Sequence, residues 1–586
     1  MFSSLLRRGA LSRRPAIARA LLRPASSLSA GSSPLPLEVP NTAWPNYVLE
    51  RASTYGDKPA FIDATDGRAL SFRELKSQVV RAASGLIESG FRRGDVLVTN
   101  ATNCLEYPVL VHAVALVGGI VSPASPLFTV AELSNQLREV GRCTKEDGVA
   151  PQLFLFAVPS TSAAAVAAAD EVGVPVEHRV LADGCVDDAG APAAGVGFAE
   201  LLDRAIEDAP EGTALCPPDS LLEALNARVD PQEDMAILPF SSGTTGPPKG
   251  VMLTHRNMVA NLLQSDGLEP YQGDTFVGIL PMYHIYGTWA FLSYAPRHGA
   301  TVALLPRFEL GAFLKAIETY RVSLVHIAPP VAVLLAKDPR VDEYDVSSVR
   351  AIVSGAAPLG EDTAAQVAAR LNCVVKQAYG MTELSPINNW MDDGGAASRA
   401  ASIGPLVGGT DYKVLRVAGD ETTDEVVAVG EVGELCWRGP QVMKGYLNRP
   451  DATAATIDGD GFLHSGDIGH VDNDGYFYVV DRKKELVKYK GRQVAPAELE
   501  ALLLEHESIA DACVVAHVRK SDGEEVPKAF VVRKPNVELS ADDVQAFVAG
   551  RVASYKKVRA VEFIDAIPKS ASGKLLRRQL RERDQR

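Results

Sequence analysis

Several features are scarce in this chain, and each shortage narrows what the protein can do. Basic residues are outnumbered: 59 Lys and Arg stand against 73 Asp and Glu, which gives a formal net charge of −14 over 586 residues. An acidic balance argues against a nucleic-acid partner, which would usually show as a basic patch. The seven cysteines are odd in number and form no Cys-x-x-Cys pair. This pattern favours a reducing compartment over a disulfide framework or a zinc site.

No apolar run is long enough to cross a bilayer. The best candidate, residues 109–121 (VLVHAVALVGGIV), is interrupted by His112 and by Gly118-Gly119. It falls short of the roughly 20 apolar residues that a spanning helix needs. We therefore expect a buried helix that runs into a core strand, and no transmembrane segment.

Acidic residues are absent from the N-terminal segment before Glu38. The same segment is rich in Ser, Ala and Leu and carries Arg7, Arg8, Arg13, Arg14, Arg19 and Arg23. This composition is typical of an organelle transit peptide. We predict a disordered transit peptide at residues 1–33 and a location in the mitochondrial matrix, with the plastid as the alternative. A basic tail without a targeting role stays open.

The rest of the chain alternates apolar runs with helical patterns. Strand-like runs occur at 95–100, 301–308, 323–330, 349–359 and 373–380. Strands that alternate with helices predict a doubly wound α/β body, of which the Ala-, Asp- and Gly-rich residues 141–230 would be a variable surface part. After residue 491 the pattern changes to a compact α+β unit, with a helix at 496–506 and strands at 511–518, 528–534 and 560–567.

One loop has the composition of a phosphate site. Residues 241–250 (SSGTTGPPKG) lie between a strand-like run at 235–240 and a helix-like run at 251–264. Glycines let backbone N–H groups converge on an anion, and hydroxyls and Lys249 add donors. Gly250 follows the lysine, so the loop is not of the Walker type, which needs Ser or Thr there. The bland alternative is a polar surface turn.

Further motifs follow in a fixed order: LPMYHIYG (280–287), VSGAAPLG (353–360), QAYGMTE (377–383), GELCWRGPQVMKGYLN (433–448), FLHSGDIG (462–469), VVDRKKELVKYKG (479–491) and IPKSASGKLLRRQL (567–580). With the loop, this set resembles the adenylate-forming superfamily of acyl-CoA synthetases, and most closely its 4-coumarate:CoA ligase branch. The resemblance covers about 45 to 580. It implies a large α/β AMP-binding adenylation domain over 34–480 and a small mobile α+β C-terminal domain over 481–586.

The resemblance implies a two-step reaction that uses ATP, Mg²⁺ and CoA. A carboxylate attacks the α-phosphate of ATP to give an acyl-adenylate, and the thiol of CoA then displaces AMP. The loop at 241–250 would hold the β- and γ-phosphates. The two negative partners repel, so cations and aligned donors must stabilise the charge that builds up.

The same resemblance assigns the site residues. The implied catalytic residues are Lys574, Thr382, His284 and Lys488, and Glu383 is the implied Mg²⁺ ligand, since carboxylates suit this hard ion. The implied nucleotide contacts are Ser241, Ser242, Gly243, Thr244, Thr245, Lys249, Ala356, Gln377, Ala378, Thr382, Asp467, Arg482 and Lys574. The acyl group and its adenylate are assigned to Tyr286, Ala356, Ala378, Lys484 and Lys488, and CoA to Arg307, Lys490 and Gly491.

Most of these residues could also have a purely structural role, with no part in catalysis or binding. Glu383 would then cap its own turn, Asp467 would be a turn aspartate and His284 a satisfied core histidine. Taken without the family, Lys574 would belong to a solvated tail. A domain hinge is expected at Asp481-Arg482, near the point where the alternating α/β pattern of the sequence gives way to the α+β pattern of the C-terminal unit.

The sequence leaves the identity of the carboxylic acid substrate open. Ala378 stands where many 4-coumarate ligases have glycine, and its methyl group narrows the pocket. A hydroxycinnamate and a medium-chain or modified fatty acid both remain as substrates. The partners are small molecules, namely the acid, ATP and CoA. The alternatives are a carrier-protein-loading adenylation enzyme, a luciferase-like oxygenase and a nucleotide-binding regulator that has lost catalysis.

Overall fold

The computed structural model describes residues 29–33, 36–143, 148–204, 218–241, 248–266, 268, 273–396, 398–419, 421–489, 492–519, 524–570 and 574–584. Several residues with a predicted role lie outside these ranges: the six N-terminal arginines, Ser242, Gly243, Thr244, Thr245, Lys490 and Gly491.

The strands in the described residues, in chain order, are β1 Ala30–Ser32, β2 Pro59–Asp63, β3 Ala69–Ser71, β4 Val96–Asn100, β5 Ile120–Ala124, β6 Leu153–Ala157, β7 Arg179–Leu181, β8 Val196–Gly197, β9 Met235–Ile237, β10 Phe240–Ser241, β11 Lys249–Thr254, β12 Thr275–Gly278, β13 Thr301–Leu304, β14 Leu324–Ile327, β15 Ala351–Ser354, β16 Val374–Gly380, β17 Ile387–Trp390, β18 Asp411–Ala418, β19 Glu421–Val426, β20 Gly433–Arg438, β21 Gly445–Tyr446, β22 Leu463–Val471, β23 Phe477–Arg482, β24 Val487–Tyr489, β25 Arg492–Val494, β26 Ile509–Val518, β27 Glu525–Arg533 and β28 Ala560–Phe563.

The α-helices are α1 Trp44–Leu49, α2 Ala52–Tyr55, α3 Phe72–Glu88, α4 Glu106–Leu116, α5 Val130–Val140, α6 Ser162–Val172, α7 Phe198–Arg204, α8 Pro218–Asn226, α9 His255–Ser265, α10 Ile285–Gly287, α11 Ala295–Arg297, α12 Leu310–Tyr320, α13 Pro329–Lys337, α14 Glu361–Leu371, α15 Asp393–Ala396, α16 Pro450–Ala454, α17 Pro496–Glu505, α18 Ala541–Ala549 and α19 Arg577–Asp584. A π-helical segment, Thr288–Tyr294, joins α10 to α11. Short 3₁₀ turns occupy Val176–His178, Pro339–Glu343, Thr382–Leu384 and Ser554–Lys556.

Two largely parallel sheets form the N-terminal body. The first has the order β10-β11-β9-β5-β4-β6-β7-β8, with β21 paired to β11, and the second has the order β17-β16-β15-β14-β12-β13-β2-β3. Antiparallel strands lie towards the ends: β10, β11 and β21 in the first sheet, and β3 and β17 in the second. This arrangement confirms the predicted α/β fold.

Burial explains why the central elements read as continuous apolar runs. Parallel strands are covered by helices on both faces, and every residue of β4 and β5 is buried. Helix α4 is buried over nearly its whole length and leads into β5, as predicted for residues 109–121. Among the described residues, no helix has both the length and the apolar character that a membrane span requires.

Two smaller units follow. One is a sheet with the order β1-β18-β20-β22-β23, in which β19 pairs with β18. Most of its strands follow the two large sheets in the chain, and it supplies part of the site. Beyond it, β26, β27 and β28 form a three-stranded sheet that packs with α17 and α18 around Val514, Val531 and Leu499. This is the small α+β unit that the sequence predicts.

Three expectations differ from the structure. Residues 251–254, expected to begin a helix, belong to strand β11 (Lys249–Thr254). Helix α9 begins after Thr254, whose hydroxyl accepts from the backbone N–H of Asn257 at 3.2 Å in a capping box. Residues 141–230 are not only surface, because β6 pairs with β4 and β7 and buries Phe154 and Phe156 completely. Ala30–Ser32, expected to be disordered, pairs with β18.

Candidate active site

The predicted site residues gather where several strands end. Ala356 follows β15, Ala378 lies in β16, and Glu383 lies in the 3₁₀ turn just after β16. Asp467 and Arg482 come from the neighbouring strands β22 and β23. In open α/β sheets, ligands bind at the carboxyl ends of the parallel strands, so the fold places these residues where a ligand is expected.

The turn after β15 has an unusual backbone. Ala356 has a φ of 70°, which is a left-handed conformation that non-glycine residues rarely adopt. Such conformations cluster at functional sites. Gly355 is packed so closely that a Cβ there would lie 3.0 Å from Cε1 of Tyr286. Gln377 fixes the turn: its Oε1 accepts from the backbone N–H of Leu359 at 2.8 Å, and its Nε2 donates to the carbonyl of Ala400 at 2.6 Å.

Glu383 lies at the centre of the part of the site that the resemblance assigns to the phosphates. It is buried, with 7% exposure. Its Oε1 accepts hydrogen bonds from Ser241 Oγ at 3.2 Å and from Tyr446 OH at 2.9 Å. The ammonium group of Lys249 lies 4.6 Å from the centre of the Tyr446 ring. Ser241, at one end of the 241–250 loop, therefore bonds Glu383 directly, and Lys249, at the other end, lies over the tyrosine that bonds it. The hydrogen bonds of the Glu383 carboxylate go to other elements and do not cap its own turn.

This carboxylate fits a magnesium ion. Both hydrogen bonds go to Oε1, and carboxylate oxygens are the ligands that Mg²⁺ prefers. Within the described ranges, no group of three or more His, Cys, Asp and Glu side chains is arranged to hold a metal. Magnesium commonly binds one or two carboxylates and completes its shell with phosphate oxygens and water. Glu383 would therefore hold Mg²⁺ together with the nucleotide.

Asp467 forms the opposite side of the site. It is 5% exposed, and its Oδ2 accepts a hydrogen bond from Tyr379 OH at 2.6 Å. Its Oδ1 lies 3.3 Å from Nε of Arg482, the residue directly across the strand pair. Burial and the negative charge of Asp467 raise the pKa of Tyr379 well above its usual value. Tyr379 therefore remains a neutral donor that fixes the carboxylate.

The part of β22 that carries Asp467 is held in place by hydrogen bonds to its backbone. The backbone N–H of Asp467 donates to Ser465 Oγ at 3.0 Å, and that of Gly466 donates to Glu434 Oε1 at 2.9 Å. Burial alone would raise the pKa of Glu434, but hydrogen bonds with His464 and Thr422 and the charge of Lys483 lower it to about 2. Glu434 is therefore an ionised anchor at neutral pH.

Lys574 reaches this site from the C-terminal unit. The backbone N–H of Lys574 donates to Ser570 Oγ at 3.1 Å, and its carbonyl accepts from the Ser570 N–H at 2.8 Å. Burial, and then the positive charge of Arg482, lower the pKa of Lys574, while the negative charges of Glu485, Asp467 and Glu383 raise it, and the net pKa is about 8. The residue is half-buried, so the interpretation of Lys574 as part of a solvated tail is wrong.

His284 lies close enough to Lys574 to sense its charge. Burial first, and then that charge, lower the pKa of His284 to about 4, so the ring is neutral at physiological pH. Its Nδ1 accepts from the backbone N–H of Tyr286 at 3.3 Å. A neutral imidazole with an accepting Nδ1 carries its proton on Nε2. His284 is thus a neutral N–H donor, suited to orienting a carboxylate.

Two lysines assigned to the acyl-adenylate and the arginine assigned to CoA lie at the surface in this arrangement. Arg307, Lys484 and Lys488 are all exposed. The backbone N–H of Lys488 donates to Glu525 Oε2 at 2.9 Å, within the C-terminal unit. Lys574, and not Lys488, shares its surroundings with Asp467 and Glu383. This is the placement that the first step of the expected reaction requires.

The expected hinge is anchored on its C-terminal side. Asp481 is buried, and its carboxylate accepts from the backbone N–H of Ala497, at the start of α17, at 2.9 Å. It also accepts from the backbone N–H of Arg482 at 2.7 Å. Burial raises the pKa of Asp481 to about 6. That Asp481-Arg482 acts as a hinge stays a prediction.

Two tyrosines of the site were not singled out from the sequence. Tyr379 fixes Asp467, and Tyr446 fixes Glu383. Both lie inside the quoted motifs, QAYGMTE and GELCWRGPQVMKGYLN. A buried carboxylate needs a donor, and the hydroxyl-bearing residues inside the same motifs were the available signal for such a partner.

Known proteins share this architecture. Residues 48–447 match the family model described as AMP-binding enzyme, and residues 498–574 match the model of the AMP-binding enzyme C-terminal domain. The chain belongs to the AMP-binding enzyme family. The match confirms the resemblance to adenylate-forming enzymes, with its large domain and small C-terminal domain.

Relatives of this family cover nearly the whole chain. 4-Coumarate–CoA ligase 2 of Oryza sativa subsp. japonica is 40% identical over 544 residues, which is 91% of both chains. Among solved structures, ATP-bound MatB from Rhodopseudomonas palustris has a TM-score of 0.75 at 26% identity and covers 92% of this chain and 98% of its own. o-Succinylbenzoate CoA synthetase from Bacillus subtilis, in complex with its acyl-adenylate intermediate, has a TM-score of 0.72 at 26% identity and covers 93% and 98%.

The lowered pKa of Lys574 predicts an alkaline limb in the pH profile of this family member. Lys574 is a cation below its pKa of about 8 and neutral above it. If the phosphate needs the ammonium, kcat/KM for ATP in the free enzyme should be level below about pH 8 and fall about tenfold per unit above it. Pyrophosphate release measured across pH tests this prediction.

A Lys574→Arg variant is the control, because arginine stays charged over this pH range. It should show no fall in kcat/KM above about pH 8, at a lower overall rate. A wild-type profile that is level to about pH 10 would contradict the assignment.

Proposed function

We propose that this protein is a Mg²⁺- and ATP-dependent carboxylate:CoA ligase, which is an AMP-forming acid–thiol ligase. The observation that carries the proposal is the convergence of Lys574, Glu383 and Asp467, which come from three parts of the chain, around one site. A cation, a metal-binding carboxylate and a ribose-binding carboxylate are the groups that acid activation by ATP requires. The relatives named above, a 4-coumarate–CoA ligase and an o-succinylbenzoate CoA synthetase, support the same class.

In the first step, an oxygen of the acid attacks the α-phosphorus of ATP, and the bond to pyrophosphate breaks. Lys574 would stabilise the negative charge that builds up between the two anions. His284 would orient the attacking carboxylate through its Nε2–H, and Thr382 would donate to an α-phosphate oxygen. Mg²⁺ on Glu383 would neutralise the leaving pyrophosphate. Asp467 would accept the two ribose hydroxyls and so fix the nucleotide.

In the second step, the sulfur of CoA attacks the acyl carbon, and the bond between that carbon and the AMP oxygen breaks. The thiol proton leaves with the released AMP or with water. Lys488, Lys490 and Gly491 would enter the site through rotation about Asp481-Arg482, and Arg307 would contact CoA. The exposure of Lys488 and Arg307 leaves both available for this role.

The relatives and the expected pocket wall narrow the range of acids that are candidate substrates. The rice relative is named for 4-coumarate, which favours a hydroxycinnamate. Tyr286 is buried and would form a wall towards the acyl tail, while Ala378, in β16, would add a methyl group to the pocket. A medium-chain or modified fatty acid is the second candidate, since it needs less width than an aromatic ring.

We further propose that residues 1–33 direct the protein to the mitochondrial matrix. The support is compositional: six arginines precede the first acid, Glu38. Fusing this segment to a fluorescent protein should bring the fluorescence into mitochondria. Fluorescence in plastids would favour the alternative, and diffuse cytosolic fluorescence would contradict targeting.

A competition experiment tests the proposed function. The protein would be incubated with ATP, Mg²⁺, CoA and a mixture of cinnamates and short- to long-chain fatty acids, and mass spectrometry would identify the thioesters. We expect one class of acyl-CoA to dominate, together with AMP. Acyl-adenylates without thioesters would move the acceptor from CoA to a carrier protein. No adenylate with any acid would contradict the proposal.

A further inference from the structure

The first strand of the folded chain lies inside the segment that has the composition of a transit peptide. Strand β1, Ala30–Ser32, pairs antiparallel with β18, with Ala30 opposite Lys413 and Ser32 opposite Asp411. The last arginine of that segment is Arg23. Only a few residues therefore separate the arginine-rich part of the segment from a strand of the folded domain.

Strand β1 covers an edge of β18 that no other described strand covers. One side of β18 pairs with β20 over residues 411–415. On the other side, β19 pairs with residues 415–418, and β1 pairs with residues 411–413. Without β1, half of that side would present unpaired backbone groups. Such exposed edges are templates for pairing with other chains, and native proteins usually cover them.

Ser29, the residue before β1, is bonded into the interior of the same sheet. It is fully buried, with 0% exposure. Its backbone N–H donates to the carbonyl of Val427 at 2.8 Å, and its carbonyl accepts from the N–H of Val414 at 2.8 Å. Its hydroxyl donates to the carbonyl of Ala428 at 2.9 Å. Loss of Ser29 would remove the partners of these backbone groups, and a buried polar group without a partner is destabilising.

Gly31 fits against an aromatic residue of the core. A Cβ added at Gly31 would lie 3.0 Å from Cε1 of Tyr412. Tyr412 is 2% exposed, and its ring packs edge-on against that of Phe477, with 5.0 Å between the ring centres. Strand β1 therefore lies over part of the core of this sheet as well as along its edge.

The sheet that β1 completes also carries part of the candidate active site. Strand β18 pairs with β20, and β20 pairs with β22, which includes Asp467. Glu434 in β20 accepts from the backbone N–H of Gly466 at 2.9 Å. The folded, active protein therefore needs β1 in place.

Two limits define where a transit peptide can be cut. The arginines that give the segment its targeting composition end at Arg23. The first residue that the described structure ties to the sheet is Ser29. A cut before Arg23 would leave part of the targeting segment on the protein, and a cut after Ser29 would remove a buried residue and then β1.

We infer that the transit peptide is removed by cleavage of one peptide bond between Arg23 and Ser29, and that the mature protein keeps β1. The inference rests on the proposed mitochondrial location and corrects the end of the removed segment, which the sequence alone places at residue 33. The step is a hydrolysis by an endopeptidase of the organelle. Water supplies the oxygen of the new carboxylate, and the nitrogen of the next residue takes a proton and becomes the new amino terminus.

Identification of the new amino terminus tests the inference on the full chain. The chain would be made by cell-free translation and imported into isolated mitochondria, and its amino terminus would be labelled chemically and identified by mass spectrometry. We expect a mature form whose first residue lies within residues 24–29, without any of the six N-terminal arginines. Any other first residue in the imported protein, including that of an uncut chain, would overturn the inference.

Truncated proteins test the retention of β1 without import. Three proteins would begin at residues 24, 29 and 34, so that each step removes five residues. The proteins from 24 and 29 should have the same Tm to within about 1 °C, whereas the protein from 34 should unfold about 5 °C lower or fail to fold, because it lacks the bonds of Ser29 and β1. Removal of residues 24–28 is the matched control. Equal Tm values for the proteins from 29 and 34 would overturn the need for β1.

A point variant makes the same test in the full chain. Ser29→Pro keeps every arginine but loses the N–H that donates to Val427, so Tm should fall. Ser27→Pro makes the same change two residues earlier and is the control, with an unchanged Tm. Equal Tm values for the two variants and the wild-type protein would overturn the role of Ser29.

The outcomes separate this inference from the proposals beside it. If the chain is not imported, the mitochondrial location fails and the cleavage site fails with it. If the chain is imported but cut outside the stated window, the inference fails alone. Neither result bears on the ligase activity, which is measured on the purified protein.

Discussion

Replacing Lys574 by alanine is expected to slow acyl-adenylate formation by about 10²- to 10³-fold, the usual effect of losing one preorganised charge-stabilising group. Lys574 is a half-buried cation within reach of the charges of Asp467, Glu383 and Arg482, and its pKa of about 8 keeps it mostly protonated at neutral pH. Without it, two negative reactants would meet in a site that retains its acids. Pyrophosphate release in a single turnover, with saturating acid and ATP, measures this step directly.

The second half of the reaction separates a catalytic loss from a folding defect. When preformed acyl-adenylate and CoA are supplied, Lys574→Ala should form thioester at a rate within about tenfold of wild type, because the charge at this position acts on the phosphoryl step. Lys569→Ala is the matched control: it removes the same charge from the same segment, but Lys569 is paired with Asp511 at 2.6 Å. Wild-type adenylation by Lys574→Ala would refute the role of this lysine.

Replacing Glu383 by glutamine is expected to lower kcat/KM for ATP by about 10²-fold or more and to raise the Mg²⁺ concentration that the enzyme needs. The amide keeps the size of the side chain and an oxygen that accepts from Ser241 and Tyr446, so the fold of the site should survive. What it loses is the negative charge that attracts Mg²⁺. Mg²⁺ titrations of pyrophosphate release measure the effect on turnover.

A readout without turnover completes the test of Glu383. Calorimetry of ATP binding with and without Mg²⁺ should show a smaller Mg²⁺-dependent gain for Glu383→Gln than for wild type. Glu233→Gln is the control, since Glu233 forms an exposed ion pair with Lys444 at 2.8 Å and such pairs contribute little. An unaltered Mg²⁺ dependence in Glu383→Gln would assign the metal to another group.

Much of the fold and the site follows from local sequence patterns. The apolar runs that became β4, β13, β15 and β16 are short and bounded by turn residues, so their strand character was visible. The acids and lysines of the site were found because they lie in ordered motifs. Their function needs a specific residue type at a specific position, and that is what a sequence records most clearly.

Other features depend on contacts between distant parts of the chain. Residues 249–254 contain apolar residues that suit either a helix or a strand, and only their pairing with β9, β10 and β21 makes them β11. Phe154 and Phe156 lie in a stretch next to polar, Ala-rich sequence, and only the pairing of β6 with β4 and β7 buries them.

The roles of the two tyrosines depend on distant contacts as well. Tyr446 meets Glu383 across 63 positions of the sequence. Tyr379 meets Asp467 across 88 positions. The sequence motifs therefore locate the acids of the site, while the side chains that hold them in place become visible only in the folded chain.

One isotope experiment tests the central claim most directly. The acid would be labelled with ¹⁸O in both carboxylate oxygens and converted with ATP, Mg²⁺ and CoA, and the AMP produced would be analysed by mass spectrometry. Because the acid oxygen attacks the α-phosphorus and the acyl carbon–oxygen bond breaks later, each AMP should carry one ¹⁸O atom. AMP without label, or ADP with labelled phosphate, would contradict activation through an acyl-adenylate.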